Sequence, residues 1–225
     1  MDVTRRDNNT VAMMRAYESM LSTEVARVLG ARGFVRIDNE FHRRRGALDD
    51  VIGFQENWHN GSVRWHGFFV NVGVASAEID SACAGQGRPR TRANRCLLQR
   101  RWESLVPELP YELRIRPDTD MTAFTEQLCR GLGLLLDALE KIDSTAALVR
   151  YAVTNNLLIA YETTCCYLAA IDDIDTLTGY VATLRDCFGH QERWSIFSRE
   201  IRAETGRWAS TLNGRGVLGP VTADS

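Results

Sequence analysis

Apolar and polar positions recur with two different periods along this chain, and the switch from one to the other organises it. Val11, Met14, Leu21, Val25 and Val28 keep helical spacing, which predicts an amphipathic helix of about twenty residues. Gly30 or Gly33 supplies its stop. "FVRI" and "EFHRRRG", separated by Asp38-Asn39, read as a strand or a tight strand pair, and Gly46 and Asp49-Asp50 punctuate before the next run. From Val51 to Val74 the period is two. Asn60-Gly61 lies at its centre and suits a two-residue type I′ turn, which needs positive φ twice.

That turn would pair His59 with Ser62 and so fix the facing of every side chain. One face carries Val51, Gly53, Gln55, Asn57 and His59 opposite Val70, Phe68, His66, Arg64 and Ser62. The other carries Ile52, Phe54, Glu56 and Trp58 opposite Phe69, Gly67, Trp65 and Val63. The second set is the expected core face. The first is expected to be polar toward the turn and covered by a helix at its far end.

Residues 77–94 turn to Gly, Ser, Pro and Arg and predict a long surface loop. "CLLQRRWESL" and "YELRI" read as further strands or a short helix, broken up by Pro107, Pro110 and Pro117. Beyond Pro117 the period is helical throughout. Phe124, Leu128, Leu132, Leu135, Leu139 and Ile142 mark one helix, with Asp118 or Asp120 to cap it, and Asp143-Ser144 opens the next. A helix pair follows, joined at Asp172-Asp173, and a last helix takes in Trp194, Phe197 and Ile201.

These elements predict an α+β fold with an N-terminal helix, an antiparallel sheet of four to five strands and a C-terminal helical half of four to five helices. Residues 1–117 form the sheet portion and 118–211 the helical portion packed on it, together expected as one structural unit, and 212–225 a disordered tail.

Composition changes the picture little. Apolar residues at 44% and charged residues at 25% suit a soluble globular chain, and a formal charge of −2 gives no drive toward nucleic acid or anionic membrane. No apolar run approaches the ~20 residues needed to span a bilayer. Six cysteines without a C-x-x-C spacing, and no secretory h-region, predict reduced thiols and a cytoplasmic setting. Adjacent Cys165 and Cys166 read as buried small hydrophobes. Lys141 is the only lysine, so 26 of 27 basic residues are arginine. Codon choice in a GC-rich genome accounts for this; recognition of planar anions is the functional alternative.

Candidate chemistry is sparse. There is no P-loop and no G-x-S-x-G elbow, and the G-x-G of "GLGLLL" lies within a helix rather than after a strand. No catalytic residue, cofactor or metal site is indicated. His42, Gln55, Asn57, His59, Arg64 and His66 are the candidate binding residues, brought together if the strands converge near the turn. Arg43, Arg44 and Arg45, with Arg88, Arg90, Arg92, Arg95, Arg100 and Arg101, form a candidate basic surface, and Trp58, Trp65 or Trp102 would supply base stacking.

The strand motifs resemble the bacterial family called domain of unknown function 4304. They comprise a helix ending in Gly33-Phe34, an aromatic-x-Arg strand from Phe41 to Arg43, and an Ile-x-x-Gln strand from Ile52 to Gln55. A Phe-x-x-Asn-x-Gly-Val strand at Phe68, Asn71, Gly73 and Val74 completes them. The likeness runs from about Val11 to Tyr151. An Arg-Leu-Gly step near Arg95 to Arg100 and a tryptophan near Tyr111, expected of the family, are absent. The resemblance implies a fold and no established activity.

The leading expectation is a non-catalytic cytoplasmic binding protein of bacterial type that engages another protein, in the manner of an immunity or antitoxin-like factor. A nucleic-acid-associated protein using the arginine clusters is the first alternative. An enzyme with His42, His59 or His66 as acid/base is the second. No membrane partner is expected.

Overall fold

The computed structural model describes residues 3–61, 64–84, 96–155 and 158–219. The chain divides into two compact units, Met1–Val74 with Gln99–Asp143, and Ala75–Leu98 with Ser144–Ser225. Neither is continuous in sequence.

The first unit opens with α1 (Val3–Met20), a π-helical turn (Leu21–Val25) and α2 (Ala26–Gly30). In the π turn the Ser22 and Thr23 hydroxyls donate to the Glu18 and Ser19 carbonyls at 2.7 Å each, accommodating a residue more than an α turn holds. That extra residue displaces the apolar stripe. Met13, Tyr17, Met20, Leu21, Val25 and Leu29 are buried, whereas Val11 and Met14, on the apolar face by spacing, are exposed. The stop is at Gly33, whose φ of 84° is left-handed. The Phe34 N–H donates to Leu29 O and the Gly33 N–H to Gly30 O, so the helix end is a Schellman motif.

Six strands make one sheet: β1 (Val35–Ile37), β2 (Glu40–Arg45), β3 (Leu48–Glu56), β4 (His66–Ser76), β5 (Leu98–Arg101) and β6 (Leu113–Ile115). Their order is β1-β2-β3-β4-β5, and β6 also pairs with β4. Two-residue turns at Asp38-Asn39 and Gly46-Ala47 join the first three strands, pairing Ile37 with Glu40 and Arg45 with Leu48. Asp38 and Gly46 take the positive φ these turns require, 55° and 57°.

Asn60-Gly61 does not make the third such turn. β3 ends at Glu56 and β4 begins at His66, and the ladder closes where the Asn57 N–H donates to Gly67 O at 2.8 Å. The expected partner of His59, Ser62, lies outside the described residues. The physical reason is Asn60 itself: its side chain donates to Gly67 O at 2.9 Å and accepts from Gly67 N at 2.8 Å, so it caps the strand end instead of forming the turn. The pairing is thereby offset by an odd number of residues from the expected one, which changes the facing. Leu48, Asp50, Ile52 and Phe54 share the inner face with His66, Phe68, Val70, Val72 and Val74, all buried. Gly53, Gln55 and Asn57 share the outer face with Asn71 and Gly67.

Asn60→Ala strips the Gly67 N–H of its acceptor in a buried place and should cost about 1–3 kcal/mol in urea unfolding. Asn60→Asp keeps the acceptor and should lose less. Equal losses for the two would contradict this account of the turn.

α4 (Met121–Glu140) lies on the inner face, its Phe124 ring 6.3 Å from that of Phe68. Asp120 caps it by accepting from Thr122 N and Ala123 N. By compactness α4 groups with the sheet, and the break comes at Asp143/Ser144 rather than at 117/118.

The second unit holds α3 (Ala77–Ala82), α5 (Thr145–Thr154), α6 (Tyr161–Ala170), α7 (Ile174–Phe188), α8 (Trp194–Thr205) and α9 (Ala209–Gly214). α6 is its centre, packed by α3, α5, α7 and α8. Most of this helix is covered, and Cys165 and Cys166 are accordingly buried. Burial pushes the Cys165 thiol far above its ordinary pKa.

The disordered tail expected for 212–225 is not what residues 212–219 show. Leu212, Val217 and Leu218 are buried, and Arg185, Arg202 and Trp194 donate to the carbonyls of Gly216, Leu218 and Gly219. Short apolar residues among glycines can be anchored by cations from elsewhere, which composition alone does not register. Residues 220–225 lie outside the described part.

Candidate functional site

The offset of the hairpin decides which candidate side chains meet. His42 lies on the outer face of β2, opposite Val51, with its Nε2 3.0 Å from Glu40 Oε2. On the same face Gln55 accepts from the Asn71 amide at 3.0 Å, and Asn57 donates to Glu112 at 2.7 Å. His59 follows in the turn with its ring 3.5 Å from that of Trp58, which is 86% exposed. Arg64 is exposed just before β4.

His66 is not with them. It points to the inner face at 2% exposure, its ring 4.7 Å from that of Tyr17. Burial lowers its pKa, and Glu56, whose carboxylate is 3.5 Å away, offsets this only in part. The expected cluster of six is therefore five on or beside the outer face and one beneath it.

The basic surface is likewise divided. Arg43 and Arg45 alternate with Phe41 on the inner face of β2, and the Gly46-Ala47 turn sets Arg43 directly across from Asp50. Asp50 is 0% exposed and accepts four hydrogen bonds: from Arg43 Nε and Nη2 at 3.0 and 2.8 Å, and from Arg45 Nε and Nη2 at 2.6 and 2.9 Å. Arg43 also reaches Glu140 at 2.8 Å and stacks 4.6 Å from the Phe34 ring. Arg45 donates to the carbonyls of Leu139 and Ile142, and its bonds with Asp50 raise its pKa further. These two arginines join the sheet to the carboxyl end of α4; they are not surface charges. Arg44 is the exposed one, 3.4 Å from Asp49. Arg88, Arg90, Arg92 and Arg95 lie outside the described residues. Trp102, named for base stacking, is buried against α4.

On the outer face lie Arg101, a member of the expected basic surface, and Arg114, which the sequence reading passed over. The Arg101 guanidinium stacks 4.0 Å from the Phe69 ring, beside exposed Tyr111, and Arg114 lies 4.8 Å from the Trp65 ring. The signal for Arg114 was slight, a single charge between Leu113 and Ile115 in a three-residue strand. For the Arg43–Asp50–Arg45 cluster the signal was present: strict alternation on both sides of a glycine turn sets opposite charges across from each other.

Chemically, the outer face offers amides, rings and paired charges. Among the described residues no group of three or more His, Cys, Asp or Glu side chains stands together as metal ligands would, and no helix is long and apolar enough to cross a membrane.

Residues 25–133 match the family model described as Domain of unknown function (DUF4304). No curated protein and no solved structure matches the chain.

Proposed function

We propose a function for a chain that belongs, through residues 25–133, to the domain of unknown function 4304 family: non-catalytic binding of another protein by the outer sheet face and the turn at Asn57–Gly61. The observation that carries it is Trp58, a large aromatic side chain left 86% exposed on a turn whose backbone is pinned by Asn60. A rigidly presented aromatic ring loses little entropy on docking and is the residue type that most often dominates an interface. Tyr111 (61% exposed) and Val35 (66% exposed) extend the apolar part of that surface. Both helical segments of this unit take the inner face through Tyr17 and Phe124. An immunity or antitoxin-like role in bacterial cytoplasm fits a binding module without catalytic groups.

Contact is made by side chains rather than by strand addition. In a two-residue hairpin Ile37 and Glu40 exchange both backbone bonds, so of β1 only Arg36 turns its N–H and C=O away from β2. Its guanidinium, tied to Asp38 O at 2.7 Å and Glu18 at 2.8 Å, sits beside that edge. One free rung next to a charge is a poor template for a partner strand.

The test is affinity purification from the native host, comparing wild type with Trp58→Ala and Tyr111→Ala. A hot-spot ring is worth about 2 kcal/mol or more, so recovery of a specific partner should fall roughly thirtyfold in apparent affinity. The thermal midpoints should barely move, because exposed substitutions typically cost within about 0.5 kcal/mol. Recovery unchanged in both variants would remove the reading. Binding to an oligonucleotide that weakens steeply with salt would transfer the surface, with Arg101 and Arg114, to nucleic-acid recognition instead.

A further inference from the structure

The last rung of the β3–β4 ladder is made by Asn57 and Gly67, and each is the immediate chain neighbour of one member of a second pair, Glu56 and His66. Three hydrogen bonds of the Asn57–Gly61 turn converge on Gly67. Its carbonyl accepts from Asn57 N at 2.8 Å and from the Asn60 amide at 2.9 Å, and its N–H donates to Asn60. His66 has almost no freedom to move independently of that anchor.

The surroundings of His66 suit a neutral ring. Tyr17 of α1 packs on it and in turn on Phe68 of the same strand, and Ile115 is its partner on β6. Its Nε2 is buried without a hydrogen-bond partner. Glu56 on β3 is the facing carboxylate, at 3.5 Å, beyond hydrogen-bond reach. Burial above all, then Glu56 and Glu18, push the Tyr17 phenol's pKa up, with Arg36 opposing, and its hydroxyl donates to Phe54 O at 3.3 Å. Arg114, opposite Gly67 on β6, belongs to the other face, bonded to Glu112.

A proton on this ring either places a poorly compensated cation under Tyr17 or draws Glu56 inward. Both movements act on the residue next to an anchor point. We propose that His66 is a proton-sensitive latch: while it is neutral the Asn57–Gly61 turn stays docked on Gly67, and when it takes a proton the turn and Trp58 come away. The direction follows from linkage. The docked form holds His66 where burial disfavours the charged ring, so the released form, with His66 in water, binds the proton better. The contribution to docking is complete above the free-histidine pKa of about 6.5. It is lost progressively as pH falls from there toward the lowered value of the docked ring.

Amide hydrogen exchange between pH 7.5 and 5, corrected for intrinsic rates, reads this on the protein alone, so its failure is distinguishable from failure of the partner reading. The Asn57 and Gly67 amides should lose protection as pH falls, by at most about tenfold per pH unit for one proton, while Val72 stays protected. His66→Gln should abolish that dependence. Glu56→Gln, which keeps the histidine, should enlarge the loss, because the counter-charge that faces the ring is gone. Flat protection in the wild type overturns the latch, as does a pH dependence that survives in His66→Gln. Loss of the dependence in Glu56→Gln overturns it too, since Glu56 itself would then be the titrating group.

Discussion

Asp50→Ala should unfold the sheet unit at far lower denaturant than any surface change, with a loss of about 3–5 kcal/mol. The carboxylate is wholly buried and accepts from two guanidinium groups, themselves largely shielded. Removing it leaves Arg43 and Arg45 facing one another with Glu140 and, near Arg45, Asp143 as nearby anions. Like charges drawn that close in a low dielectric repel. Asp50→Asn is the more telling variant. It keeps the volume and one acceptor oxygen but loses the charge, so most of the loss should remain. If Asp50→Asn unfolds like wild type in a urea titration, the cluster is held by shape and not by charge. The triple replacement of Arg43, Asp50 and Arg45 by apolar residues should be milder than Asp50→Ala, since the uncompensated charges go with the carboxylate.

Trp102→Ala is expected to cost a similar amount, about 3–5 kcal/mol. The indole is 1% exposed, donates to Pro110 O at 2.6 Å, and lies over Gly131 of α4. A Cβ added at Gly131 would stand 3.0 Å from the ring and 3.1 Å from Leu109. Helix and indole approach this closely because the helix has no side chain at that point. Gly131→Ala should therefore destabilise even though alanine is the better helix former by about 1 kcal/mol. In Trp102→Ala the same change should become neutral or favourable. That reversal of sign, read from thermal midpoints of the four proteins, is the check; additive effects would contradict the packing.

This contact also shows what the sequence made legible. Periodicity placed α4, its Asp120 cap and the core leucines, because those depend on near neighbours along the chain. "GLGLLL" was recognised as part of a helix, yet nothing local distinguishes Gly131, which meets an indole, from Gly133, which meets nothing within 4 Å. The two true hairpin turns, Asp38-Asn39 and Gly46-Ala47, follow the strand alternation on either side. Asn60-Gly61 has the better turn dipeptide of the three. Its asparagine was recruited by Gly67 seven residues on, and that preference is invisible until both strands are in place. The same odd offset moved His66 from the candidate surface into the interior, while Gln55 and Asn57 kept the outer face they had been given. Arg43 and Arg45 were misread for a different reason. Composition counts an arginine as surface, whereas alternation with Phe41 had already assigned both to the inside.

The way the chain crosses between its two units has a consequence for synthesis. α3 leaves the ribosome soon after β4, yet the helix it packs on, α6, begins about eighty residues later. At about 5–20 residues per second that is a wait of roughly 4–16 s. The first unit can close once Asp143 has emerged, with α3 carried on it as an unfinished insertion. A slow translation stretch between α4 and α6 would prolong this state, with Ile79, buried in the finished fold, left uncovered on α3.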